Sequence, residues 1–162
     1  MESSAPARVL IVAHRTAATP ALQQAVAKRA AEGPAVFALL VPKVAHGLHH
    51  VVNPEDTTRE EAGAILELAL PLLEEASGSH IEGIIGDHTP LDAVADAVNM
   101  RGFDEIIIST LPVRVSRWLH TDLPSKLKGL GLPVTTVTAK GTDKPIPKAP
   151  KAPKAPEAPE AA

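Results

Sequence analysis

The chain has 162 residues, a net charge of −3 and no cysteine, and it is 44 % apolar but only 2 % aromatic. That length fits one domain with one sizeable core, filled by Ala, Val, Leu and Ile rather than by rings. The lack of cysteine excludes disulfides, thiolate metal sites and cysteine catalysis. No run approaches the roughly 20 apolar residues needed to span a bilayer, and the short acidic N-terminus MESSAPA has no apolar signal region. The expected setting is therefore cytoplasmic, with no membrane partner.

Residues 1–7 read as a flexible N-terminus. RVLIVA (8–13) is a short apolar run rich in β-branched residues and reads as a first strand. Thr19 and Pro20 announce a helix, one as N-cap and the other where proline lacks no needed donor, and Gly33-Pro34 ends it. AVFALLV (35–41) is a second strand stopped by Pro42. The segment 43–54 has no clear period and carries His46, His49 and His50. A long helix follows, opened by a capping box of Thr57 with Glu60 and striped by Ala62, Ile65, Leu66, Ala69, Leu72, Leu73 and Ala76. Pro71 inside that stripe predicts a kink.

HIEGIIG (80–86) is a third strand, and Thr89-Pro90 repeats the cap-then-proline signal before a helix closed by Gly102. Ile106, Ile107, Ile108, Ser109 and Thr110 form a fourth strand of the doubly buried kind. Asp122 can cap a fourth helix bearing Leu123, Leu127 and Leu130. PVTTVTA (133–139) alternates Val with Thr, a pattern suited to an edge strand or a pairing surface. Alternation of this kind predicts an α/β fold over 8–139: a doubly wound, five-stranded parallel sheet of order 3-2-1-4-5 with four helices. Residues 140–162 hold six prolines, a KAP repeat and no apolar period, which predicts a disordered, partly polyproline-like tail. Five lysines against Asp143, Glu157 and Glu160 make this tail basic and leave the body acidic. An acidic body argues against a nucleic-acid surface, which needs a basic footprint. The tail fits a solubilising linker, with partner docking as the alternative.

In such a sheet the loops after the first and fourth strands flank the topological switch point, where ligands bind. Here they are HRTAAT and STLPVRVSRWLH. Arg114 and Arg117, three apart, would meet on one side of a helical segment and could grip a phosphate or carboxylate; the alternative is that they are solvated or pair with Asp122. Trp118 fits packing beneath this loop better than stacking on a base. Neither G-x-x-x-x-G-K-[ST] nor G-x-G-x-x-G occurs, and no glycine follows the first strand, so a usual dinucleotide site is not expected. His14, His88 and His120 follow strands or enter helices near the same edge. HGLHH lacks a helical ligand spacing, and surface histidines are the simpler reading than a metal site. No G-x-S-x-G elbow surrounds Ser109, Ser116 or Ser125. No acidic cluster stands by the first strand, as a receiver domain would require.

From residue 8 to 139 the chain resembles the universal stress protein family of the adenine nucleotide alpha hydrolase-like superfamily. The resemblance is carried by IEGIIGDHTPLDAVADAVNMRGFDEIIIST, by Gly86-Asp87 and by PVTTVTA. It implies an aspartate after the first strand and a G-x-x-G, nine residues, G-[ST] signature after the fourth in members that hold ATP. His14 takes the aspartate position, Thr110-Leu111-Pro112-Val113-Arg114 replaces the glycine loop, and the second glycine falls at Leu123 or Pro124 before Ser125. Val41 matches an apolar position that contacts adenine. Glycine loss adds Cβ atoms and Pro112 lacks an amide donor, so the resemblance implies a member that does not hold ATP in the family's manner. No cofactor is expected, with ATP or another nucleotide as the alternative. The implied function is a regulatory, stress-response or small-ligand-binding module. Its candidate residues are His14, Arg15, Val41, Ser109, Thr110, Arg114, Ser116, Arg117 and Ser125, and its ligand is a small anion. The resemblance further implies a homodimer through Val134–Thr138. Two alternatives stay open: a nucleotide-acting enzyme using His14 or His120 as acid or base, and an interaction protein that recruits partners through its KAP tail.

Overall fold

The computed structural model describes residues 5–43, 54–87, 89–111, 118 and 122–139. Five strands, β1 (Ala7–Val12), β2 (Ala35–Pro42), β3 (Glu82–Gly86), β4 (Glu105–Thr110) and β5 (Val134–Thr138), form one sheet in the order β3-β2-β1-β4-β5. Every pairing is parallel, with Val9 opposite Phe37 on one side of β1 and opposite Glu105 on the other. Among the described residues four helices connect them: α1 (Pro20–Glu32), α2 (Pro54–Ser77), α3 (Pro90–Arg101) and α4 (Leu123–Lys128). The α/β class, the strand order and the helix number expected from the sequence are those observed. Residues 1–4, the histidine-bearing loop and the tail 140–162 lie outside the described residues.

The period-2 geometry of strands sorts the central side chains into two apolar layers. Val9 and Ile11 of β1, with Phe37 and Leu39 of β2 and Ile107 of β4, meet Leu22 and Val26 of α1 and Ala62, Ala69 and Leu73 of α2. Leu10, Val12, Ala38, Leu40, Ile106 and Ile108 face the other way, onto Ala93, Val94 and Ala97 of α3 and Leu123 and Leu127 of α4. Two helices therefore cover each face, and the three interior strands β2, β1 and β4 contribute to both layers, which is why they read as continuous apolar runs. At the two edges, β3 and β5 keep exposed or half-buried residues throughout. The Val–Thr alternation of β5 is thus the pattern of an edge strand, as expected.

One glycine is needed for close packing. A Cβ on Gly86 would stand 2.6 Å from Ala93 Cβ and 2.8 Å from Leu40 Cδ1, so the first turn of α3 lies against the end of β3 only because that position is bare.

Local signals fared less evenly than the global pattern. The long helix starts at Pro54, three residues ahead of the expected capping box, so Thr57 lies within the helix. Proline at the first helical position outcompetes a threonine cap one turn later because its φ is already helical. Pro71 is contained in the same helix, which runs on to Ser77. Thr19, Thr89 and Asp122 do hold the N-cap positions of α1, α3 and α4, yet none makes a side-chain cap bond. Asp122 sits in the left-handed region at φ 60, a conformation that aspartate tolerates better than most residues.

Candidate functional site

The chain leaves β1 toward β2 and leaves β4 toward β5, in opposite directions, so the carboxyl ends of these neighbouring strands border a crevice. Ala13 donates from its backbone N to Leu40 O at 3.2 Å, which closes the ladder. Two turns follow. Ala17 N donates to His14 O at 3.2 Å, and Thr19 donates to Thr16 O from both its backbone N, at 3.2 Å, and its hydroxyl, at 2.8 Å. The Thr19 hydroxyl is therefore turned back into the loop, which explains why it does not cap α1.

This fold-back brings Thr16 over the end of β4, where Thr16 Oγ1 and Ser109 Oγ share a 2.6 Å hydrogen bond. Both residues are buried. Alternation along β4 puts Ser109 on the α1/α2 face with Ile107, and Thr110 on the α3/α4 face with Ile106 and Ile108. The pairing of β1 with β4 runs to Val12 opposite Ile108, and His14 follows in the turn beyond the strand. Thr110 is 2 % exposed and His14 is 7 % exposed. Thr110 Oγ1 and His14 Nε2 are the buried side-chain polar atoms without a hydrogen-bond partner among the described residues, although His14 as a residue is engaged elsewhere.

Buried polarity is concentrated here. Among the described residues the buried polar side chains are His14, Thr16, Thr58, Ser109 and Thr110, and all but Thr58 lie at the ends of β1 and β4. The structure thus gathers three of the residues expected from the sequence, His14, Ser109 and Thr110, and adds Thr16, which sequence reasoning missed. The signal available for Thr16 was a hydroxyl in a short loop facing the hydroxyls that end the fourth strand.

Val41 is fully buried in the layer that holds Ile11 and Ala17, at the carboxyl end of β2. Arg15 is exposed beside His14, and Ser125 is exposed in the first turn of α4. Arg114, Ser116 and Arg117 lie outside the described residues, as do His46, His49, His50, His88 and His120. Trp118 is half-buried and packs against the layer formed with α3 and α4, the packing role expected for it. Among the described residues no group of three His, Cys, Asp or Glu could hold a metal ion, and no helix is long and apolar enough to cross a membrane.

No family model matches this chain, and no curated protein matches it either. Solved structures do. A universal stress protein in complex with cAMP is 16 % identical at a TM-score of 0.57, over 83 % of this chain and 99 % of its own. The universal stress protein from Archaeoglobus fulgidus in complex with dAMP is 14 % identical at 0.56, over 83 % and 99 %. A universal stress protein family member from Arabidopsis thaliana with AMP bound is 15 % identical at 0.53, over 89 % and 99 %. The fold is that of the universal stress proteins. Within that fold the cluster of His14, Thr16, Ser109 and Thr110 occupies the switch point, and what it offers there is hydroxyl and imidazole groups on side chains.

Proposed function

We propose that this chain is a universal-stress-type regulatory module that binds a small anionic ligand, of the adenosine monophosphate class, at the carboxyl ends of β1 and β4. The observation that carries this reading is the concentration of buried polar side chains at that one place in an otherwise apolar interior. Burying hydroxyls costs free energy unless they are fully hydrogen-bonded, and a ligand can supply the partners. Structures of the same fold with cAMP, dAMP or AMP support the ligand class.

ATP held in the family's usual manner is not part of the proposal. Thr110-Leu111-Pro112-Val113-Arg114 offers no glycine for close backbone approach and lacks one amide, so a triphosphate gains little there. Arg15, Arg114 and Arg117 supply positive charge, and Ser116, Ser125 and Val41 complete the candidate set. The module is read as cytoplasmic and not as a catalyst.

Thermal shift with AMP, cAMP and ATP tests the reading. AMP at about 100 times its Kd should stabilise the fold by about 2.7 kcal/mol, a rise in Tm of several degrees, and ATP should do no better than AMP. No rise with any of them at millimolar concentration would remove the ligand site. The proposal includes a homodimer in which the open edge of β5 pairs antiparallel with the β5 of a second copy, as its exposed Thr135, Thr136 and Thr138 and its edge position favour. Light scattering should then give twice the monomer mass, and a monomer at micromolar concentration would reject this arrangement.

A further inference from the structure

The ligand reading leaves open which group recognises the phosphate in a loop without glycines, and this inference rests on that reading. Strand β4 is apolar on both faces from Ile106 to Ile108 and then ends in two buried hydroxyls. Their situations differ. Thr16 and Ser109 have two hydroxyl protons between them, and the single bond they share uses one. Thr110 uses none, because its Oγ1 is buried without a partner, while its backbone is satisfied by Ala139 N donating to Thr110 O at 2.9 Å. Valine has nearly the same shape, favours strands and would fill this position with no polar atom to bury. A threonine kept here at 2 % exposure is therefore a cost to folding with no return inside the described residues.

We infer that Thr110 is the specificity-determining residue of the site, its hydroxyl donating to an oxygen of the ligand's phosphate. A phosphate monoester presents acceptor oxygens and needs donors. The usual donors at such a strand end are glycine-loop amides, and here the side chain does their work. The position is shielded from water, which strengthens a hydrogen bond to a charged acceptor. His14, also buried and just beyond the end of β1, adds a second polar group at the carboxyl end of the sheet.

Titration calorimetry with AMP and with adenosine, together with melting curves, tests this on the full chain, on Thr110→Val and on Thr110→Ser. Thr110→Val should raise Tm, because it removes a buried hydroxyl that makes no bond. It should also weaken AMP about tenfold, toward the affinity of adenosine, and leave adenosine unchanged. Thr110→Ser keeps the hydroxyl and should hold AMP within about threefold of the parent chain. Opposite signs for stability and binding are what a merely structural threonine would not give. The inference is overturned if Thr110→Val binds AMP as the parent does, or if AMP and adenosine weaken alike. If the parent chain binds neither compound, the ligand reading itself fails and takes this inference with it.

Discussion

The two ends of β4 are built on different principles. At its amino end Glu105 accepts from Arg29 Nε at 2.9 Å and from Arg29 Nη2 at 3.2 Å, a two-point contact from the end of α1 that is largely shielded from solvent. Next to it Arg8 N donates to Asp104 Oδ2 at 2.8 Å and Asp104 N to Arg8 O at 2.7 Å, with the Arg8 guanidinium over the Phe103 ring. Further along this edge Arg101 reaches Glu82 at 2.6 Å. Each of these donors meets an acceptor within the chain. Four and five residues further along β4, at Ser109 and Thr110, hydroxyls outnumber their partners. Matched polar groups hold a fold together, and unmatched buried ones are tolerated where something else completes them. The amino end of the sheet thus has its polar groups matched within the chain, and the carboxyl end is where the proposed ligand would complete them.

That comparison breaks first at Glu105. The hydrogen bond that Arg29 donates to Glu105 is the main cause that holds the guanidinium above its ordinary pKa; burial works against it, and the nearby charges of Glu105 and Glu32 add to it. A raised pKa means stability that is fully present below the ordinary arginine value and lost only as pH climbs past it, so Arg29 remains charged throughout the neutral range. Glu105→Ala would leave that charge half-shielded and without its two-point acceptor. The expected cost is about 2 kcal/mol, seen as a fall in urea midpoint at unchanged m-value. AMP affinity, measured below the melting transition, should stay at the parent level. If instead AMP binding falls while stability holds, the division of labour between the two ends is wrong.

Sequence legibility follows the same division. Strand order, helix number and the edge character of β5 were readable because hydrophobic periodicity is a sum over many residues, and burial on two faces leaves an unbroken apolar run such as Ile106, Ile107 and Ile108. Cap chemistry was less readable. Thr19 carries a good N-cap residue type in the right place, yet its hydroxyl prefers the Thr16 carbonyl three residues back, a competition that depends on how tightly the preceding loop turns. At the candidate site, His14, Ser109 and Thr110 were legible as candidates because they end or follow strands at a switch point. Thr16 was not, because its partner Ser109 lies 93 residues away and only the fold-back of the loop brings the two hydroxyls together.

The Thr16–Ser109 bond gives the smaller but more discriminating test, because it joins the loop after β1 to the end of β4 and couples them without charge. Ser109→Ala leaves the Thr16 hydroxyl buried and alone, and Thr16→Val does the same to Ser109. Each single substitution should cost about 1–2 kcal/mol. The double variant removes both polar atoms at once and should cost clearly less than the sum, with a coupling of about 1 kcal/mol. Glu105→Ala combined with Ser109→Ala should show no such coupling, because the two sites share no partner and β4 separates them. Strict additivity of Thr16→Val with Ser109→Ala would mean that the 2.6 Å contact contributes nothing as a pair. The switch point would then be held by apolar packing alone, and its hydroxyls would have lost the structural half of their explanation, leaving ligand contact as the reason for each of them.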